Sequence, residues 1–199
     1  MNIRSLLRLT GVIGFVAAVI TNYIFMAYII MPATIPILTH QLETQLSSEG
    51  ISVDQSTISS IVSLTTTFML IGVIVGPFIG WLIESAVLWA LLRAFKVSAS
   101  FTDTWLLSGN YQYLAIIQTA IIAATPLLSY MVNSIVGAAV AHKSIMSDPV
   151  ILTIGLAFVI LGSLLLAYIF ARVYGTSMKR TLVPTLIALI IFWLISTVA

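Results

Sequence analysis

The sequence has no cysteine, and this absence excludes disulfide frameworks, zinc knuckles and thiol chemistry. Charge is scarce as well: Asp, Glu, Lys and Arg make up 7% of the 199 residues, whereas a soluble domain has roughly 25%. A water-facing surface cannot be built from so little charge. The net charge of +2 is too small to indicate nucleic acid as a partner. With 60% apolar residues, the chain is predicted to be a multi-pass protein of the cell membrane, in contact with the lipid bilayer.

Histidine and the catalytic motifs that use it are nearly absent. The two histidines, His40 and His142, fall on predicted connectors about 100 residues apart, and neither belongs to a His-Glu-x-x-His pattern. Glu43, three residues after His40, does not complete a metal site. The sequence also has no Gly-x-Ser-x-Gly elbow and no phosphate-binding glycine loop. We therefore expect neither catalysis nor a metal or organic cofactor, and an intramembrane enzyme is the weakest hypothesis.

Apolar runs separated by short joins predict an all-α bundle of five transmembrane helices, a single membrane domain. Pro32 and Pro36 are expected to end the first span, and a short amphipathic helix is predicted near residues 37–46. The second run would rise about 55 Å as one straight helix, so a bend is expected near residues 76–80. Asp148 followed by proline predicts a helix start, and Gly175 a helix end. The predicted spans cover residues 9–31, 59–95, 111–141, 150–174 and 182–199.

The placement of positive charge predicts the orientation of these spans. Cytoplasmic joins are enriched in Lys and Arg. With five spans and the amino end in the cytoplasm, seven of the eight basic residues fall inside and only Lys143 falls outside. Splitting the second run into two crossings would reduce this contrast. We therefore expect a cytoplasmic amino end and an external carboxyl end. The seven inside residues are Arg4, Arg8, Arg93, Lys96, Arg172, Lys179 and Arg180.

Glu84 is the acidic residue of the predicted spans and the main candidate for a functional side chain. It lies nine residues before Arg93, which is about 13 Å along a helix. A charged carboxylate at that depth costs about 3 kcal/mol on insertion scales. It is therefore expected to be neutral, paired or reached by water. Two hypotheses stay open: proton or cation coupling, and a structural carboxyl hydrogen-bonded within the bundle.

Other polar and small residues in the spans have simpler interpretations. Asn22 and Asn133 are amides at membrane depth, where they are expected to hydrogen-bond between helices. Gly72, Gly76 and Gly80 form a small-residue face on which another helix can pack, in the same chain or in a homo-oligomer. If the protein is a small transporter or channel instead, these residues and Glu84 would line its path.

Basic residues at the predicted inner interface form a second candidate site. Arg93 and Lys96 follow the second span, and the Lys179-Arg180 pair precedes the fifth. Such residues bind acidic lipid head groups or a cytoplasmic partner, or they only fix the topology. Both interpretations stay open.

Two stretches resemble the YIP family, the Ypt/Rab-interacting membrane proteins, which have prokaryotic relatives. The second stretch, residues 160–188, has a leucine-rich helix, a tyrosine-glycine turn and a proline-containing helix. The first contains Gly76-Pro77, Arg93-Ala94-Phe95, Ser100-Phe101, Thr104-Trp105 and Gly109-Asn110-Tyr111.

The resemblance implies five spans and a non-enzymatic role in membrane organisation or partner binding, which in eukaryotic relatives is connected with vesicle traffic. Those relatives bind small GTPases and have a long cytoplasmic amino-terminal segment. Only about eight residues precede the first predicted span here, so we do not expect this chain to bind a small GTPase.

Overall fold

The computed structural model describes residues 2–48, 50, 54–141 and 148–198, and every regular element in them is helical. This confirms the all-α prediction. A π-helical turn, Met26–Ile30, joins α1 to α2, and a 3₁₀ turn, Gly109–Tyr111, joins α4 to α5. The helices are α1 (Ile3–Phe25), α2 (Met31–Ser48), α3 (Gln55–Ala94), α4 (Phe101–Ser108), α5 (Gln112–Ala124), α6 (Leu127–Ala141), α7 (Pro149–Tyr174) and α8 (Met178–Val198).

Four helical segments of the described chain are long and apolar enough to cross a membrane, and a bent pair adds a fifth if it counts as one span. These are the helices of a multi-pass membrane protein. The bent pair joins Phe101–Ala124 to Leu127–Ile135 at an angle of 94°. The other four segments are Ile3–Ser48, Gln55–Ala94, Pro149–Tyr174 and Met178–Ile195.

The first helix does not end at its prolines, and that prediction is wrong. It runs on from Ile3 to Ser48, with Pro36 inside α2. The threonines on either side of Pro36 donate to carbonyls one helical turn back: Thr34 bonds the Ile30 oxygen at 3.0 Å, and Thr39 bonds the Ile35 oxygen at 2.9 Å. The expected amphipathic helix is therefore the far half of one long helix.

The second predicted span is a single helix, α3, which continues through Pro77 for 40 residues. Its middle part is exposed on most sides, and large apolar side chains such as Leu64 and Phe68 point outward. A methyl group added at Gly72, Gly76 or Gly80 would meet no atom within 4 Å. The predicted packing on this glycine face therefore has no partner helix among the described residues.

The third predicted span starts too late, because residues 101–110 are helical rather than a connector. The segment α4–α5 lies parallel to α1, and hydrogen bonds join the two along their length. The Thr10 hydroxyl donates to Asn110 at 2.7 Å, and farther along, the Thr119 hydroxyl donates to Asn22 at 3.1 Å. After Ala124 the chain turns sharply into α6, which contacts α2. The polar side chains of residues 101–110 led to the prediction of a connector. In the structure these side chains bond α1 instead of facing water.

The helices α7 and α8 form the predicted antiparallel hairpin. Asp148 caps the start of α7 and Pro149 is its first residue, while Gly175 ends it in the left-handed conformation with φ of 61°. Both helix-boundary predictions are confirmed. Across the hairpin, the Thr181 hydroxyl donates to the Ala167 carbonyl at 2.7 Å, and the Thr185 hydroxyl reaches the Ser163 carbonyl at 3.3 Å. Small residues allow this close approach in a membrane, where apolar burial alone gives little attraction between helices.

Candidate functional sites

Glu84 is buried between the helices, and one of its two carboxyl oxygens has no hydrogen-bond partner in the described chain. Its side chain is 5% exposed on α3. The Tyr111 hydroxyl, from the 3₁₀ turn between α4 and α5, donates to Oε2 at 2.6 Å. The other oxygen, Oε1, is buried and has no hydrogen-bond partner among the described residues. A buried polar atom without a partner is rare in native proteins, so Oε1 lacks the partner that a buried carboxyl oxygen usually has.

A cavity of about 360 Å³ lies between α5, α7 and α8, and Tyr111 is part of its wall. Its lining is mostly apolar, with the amide of Gln118 as a polar group. Three further aromatic residues, Phe158, Phe192 and Trp193, complete a wall of rings. Because Tyr111 both lines this cavity and bonds Glu84, its phenol connects the buried carboxyl to an accessible space.

A network of hydroxyl groups holds the segment next to Glu84 in place. The Trp81 indole donates to the Ser108 hydroxyl at 2.9 Å, and Ser85 lies 3.0 Å from the same hydroxyl. The Trp81 ring also stacks on Phe15 of α1, with centroids 4.0 Å apart. These contacts join α1, α3 and α4 around the carboxyl. Sequence reasoning did not find them, because single Ser and Trp residues in apolar runs give no pattern.

The structure does not bring the three predicted intramembrane polar residues together. Asn22 bonds Thr119 across α1 and α5, as predicted for an amide joining two helices. Asn133 is exposed on α6, beyond the sharp turn. Neither is hydrogen-bonded to Glu84 in the described part of the chain. No hydrogen bond of the described residues therefore links Glu84 to Asn22 or Asn133.

Asp103, in the first turn of α4, forms a second buried acidic site. Its side chain is 0% exposed and pairs with both Arg4 and Arg8 of α1. Ser100 caps α4 by accepting from the Asp103 amide at 3.2 Å, and its hydroxyl donates back to the carboxylate at 2.8 Å. Ser100 and Asp103 have the Ser-x-x-Asp spacing of a capping box before an apolar run. This pattern in the sequence could have predicted that a helix starts here.

The predicted basic residues gather at this same end of the molecule. Arg4 and Arg8 reach Asp103, while the Tyr174 hydroxyl, at the end of α7, lies 3.4 Å from Thr104 beside it. The end of α3 is tied to the same region, since the Trp89 indole donates to the Ala99 carbonyl at 3.2 Å. The remaining five basic residues lie at the adjoining helix ends and are exposed: Arg93, Lys96, Arg172, Lys179 and Arg180.

Acidic residues stand at the opposite helix ends. Asp148 accepts hydrogen bonds from Tyr130 at 2.8 Å and Ser134 at 2.9 Å. These bonds, the Tyr130 bond first, hold the pKa of Asp148 below its ordinary value. Asp54 caps α3, and its bonds to Thr57 lower its pKa in the same way.

No group of three or more metal-binding side chains occurs in the described ranges, and His40 is exposed on α2. His142, Lys143 and Glu49 lie outside the described residues.

No family model, curated protein or solved structure matches this chain. The resemblance to the YIP family therefore stays a prediction, and the proposals below depend on the geometry of these sites.

Proposed function

We propose that the chain is a five-span membrane protein, with its amino end in the cytoplasm and its carboxyl end outside, that acts without catalysis. Its role would be membrane organisation or partner binding, as the YIP-like stretches imply. In this topology the spans are α1, α3, α4–α5, α7 and α8. The helix α6 then lies along the outer interface rather than crossing.

The observation that carries this proposal is the gathering of basic side chains at one end. Seven Lys and Arg residues lie at this end, and in the described chain Asp103 pairs with two of them, Arg4 and Arg8. Each basic residue near an anionic leaflet contributes about 1 kcal/mol of attraction. This end is therefore suited to hold anionic lipid head groups, and through them to position the protein in a lipid region or beside a partner.

The absence of cysteine allows a direct test of the topology. Single cysteines are introduced at Thr57, near the start of α3, and at Ser177, in the turn between α7 and α8. On intact cells, a membrane-impermeant maleimide should label the Thr57→Cys variant and spare the Ser177→Cys variant until the membrane is permeabilised. The reverse pattern would contradict the topology.

The lipid contact is tested by native mass spectrometry of protein purified from mixed vesicles. The Lys179→Ala/Arg180→Ala double variant should retain fewer anionic lipids and the same number of zwitterionic lipids as the unmodified protein. Equal loss of both lipid classes would show disturbed folding, and no loss would show that the pair only fixes topology.

A second candidate function, proton or cation transfer through Glu84, is favoured by the unpaired Oε1 atom. In proteoliposomes, the Glu84→Gln variant should lose proton or cation flux while keeping its helical circular dichroism. Glutamine keeps the shape of the side chain and accepts the Tyr111 bond, so it removes the ionisable group alone. Flux equal in both proteins, or absent from both, would exclude this candidate.

A further inference from the structure

We propose that the cavity between α5, α7 and α8 binds a lipophilic ammonium cation whose charge is balanced by Glu84 across the Tyr111 hydroxyl. This inference rests on the second candidate function and names the ligand class for that site. Three features support it: an unpaired buried carboxyl oxygen, a wall of aromatic rings, and the phenol that connects them.

The first feature is a carboxyl group that the described residues leave without a countercharge. The titratable side chain in contact with Glu84 is Tyr111, and the resolved ion pairs of the described residues are both made by Asp103. Apart from Glu84 itself, the charged residues of α1, α4 and α8 lie in the first two turns of those helices, and those of α3 and α7 lie at or near their ends. The described residues therefore give an ionised Glu84 no paired positive charge, and a bound cation would supply one.

The second feature is the lining of the cavity. Its volume of about 360 Å³ lies in the range of small-molecule sites, about 300–1,000 Å³. Four aromatic side chains belong to this lining, and an aromatic ring attracts positive charge to its face: Tyr111, Phe158, Phe192 and Trp193. No Lys or Arg contributes to this wall, so an anion would find no partner.

The third feature is Tyr111, which serves both parts of the site. Its hydroxyl donates to Glu84, and its side chain forms part of the cavity wall. In this proposal, the Tyr111 side chain lies between a cation in the cavity and the Glu84 carboxyl group. Gln118 adds an amide to the wall, which can accept from a protonated amine or turn toward a polar substituent.

The binding step is an exchange without covalent chemistry. With the cavity empty of cation, Glu84 is a neutral carboxylic acid. When the cation enters, the O–H bond of that acid breaks, the proton passes to water, and the carboxylate balances the bound charge. One proton leaves for each cation bound, so the total charge within the membrane is unchanged.

The test uses the full-length protein in detergent with benzyltrimethylammonium as the probe. Its neutral isostere, neopentylbenzene, has the same shape and no charge. We expect the cation to bind more tightly than the isostere and to release one proton, measured with a pH indicator in weak buffer. The Glu84→Gln variant should bind the cation at least about tenfold more weakly and release no proton. Equal binding of the two probes to the unmodified protein would overturn the proposal.

A second variant keeps the test decisive if Glu84→Gln does not fold. Phe158→Leu removes one ring face and leaves the carboxyl in place, so it should weaken binding of the cation and not of the isostere. An equal change for both probes would overturn the proposal. Proton flux that depends on Glu84, combined with no binding of the cation, would also overturn it while leaving the second candidate function intact.

Discussion

At the scale of single residues, the two buried acids of the described chain have opposite environments. Asp103 has two arginines and a serine hydroxyl on its carboxylate. Glu84 has one tyrosine hydroxyl and one unpaired oxygen. A fully satisfied buried acid rigidifies the structure around it, whereas a half-satisfied one costs stability unless a ligand or proton completes it. The first acid therefore belongs to the fold, and the second is the better candidate for function.

Replacing Asp103 with Asn should destabilise the protein by about 1–3 kcal/mol. The two arginines lose their countercharge, but their side chains are 46% and 37% exposed, so water reduces the cost below that of a fully buried pair. Asp54→Asn is the matched control, because Asn caps a helix as well as Asp does. Unfolding in a detergent titration measures both variants, and equal stabilities would contradict the structural role of Asp103.

Tyr130→Phe should raise the pKa of Asp148 toward its ordinary value, because it removes the largest cause of the lowering. A lowered pKa in the folded state stabilises the fold above the unfolded-state pKa of about 3.8, and this contribution is lost as pH falls through the folded-state value. In the variant, protonation of Asp148 should therefore begin at a higher pH. Carbon NMR of the Asp148 carboxyl measures this directly, and an unchanged titration midpoint would contradict the assignment.

At the scale of elements, the sequence predicted helix boundaries correctly wherever neighbouring residues determine them. Helix α7 starts at Asp148-Pro149 and ends at Gly175 as local capping rules require. The sequence was insufficient where a distant partner decides the outcome. Residues 101–110 look like a polar connector, yet their polar groups bond α1 about 100 residues earlier. The bond between Tyr111 and Glu84 was likewise invisible, because no spacing rule relates residues on two helices.

The contact between α1 and α4–α5 depends on glycines, and this gives a prediction for the element. A methyl group at Gly11 would overlap the Leu106 carbonyl oxygen of α4. Gly11→Ala should therefore force the helices apart and cost about 1–3 kcal/mol. Gly76→Ala is the matched control, since nothing lies within 4 Å of its added methyl, and it should be neutral or slightly stabilising. Thermal unfolding in one detergent compares the two, and equal effects would contradict the packing.

At the scale of the whole molecule, two helical segments are much longer than a bilayer is thick. The segment Ile3–Ser48 has 46 residues and α3 has 40, so they measure about 69 and 60 Å at 1.5 Å per residue. The hydrocarbon core is about 30 Å thick. With the basic end at one interface, as proposed, α2 and the start of α3 extend beyond the other interface at any tilt up to about 40°, the upper end of the range for membrane helices.

A spin label at Thr44, introduced through a Thr44→Cys variant, should therefore report water rather than lipid. We expect high collision rates with a water-soluble nickel chelate and low rates with oxygen in reconstituted vesicles. A label at Val16, within α1, should show the reverse. If Thr44 also favours oxygen, α2 lies in the interface, and the long helix is bent there by more than the structure shows.

The parallel packing of α1 against α4–α5 also determines when the protein can finish folding. The bonds that join them connect residues 95–103 positions apart in the chain. Ribosomes add about 5–20 residues per second, so α1 waits on the order of 5–20 s in the membrane before its partner is made. During that interval its glycine surface and two arginines have no contacts from α4–α5. A membrane insertase or chaperone that shields the first helix would therefore act early, before the third span is synthesised.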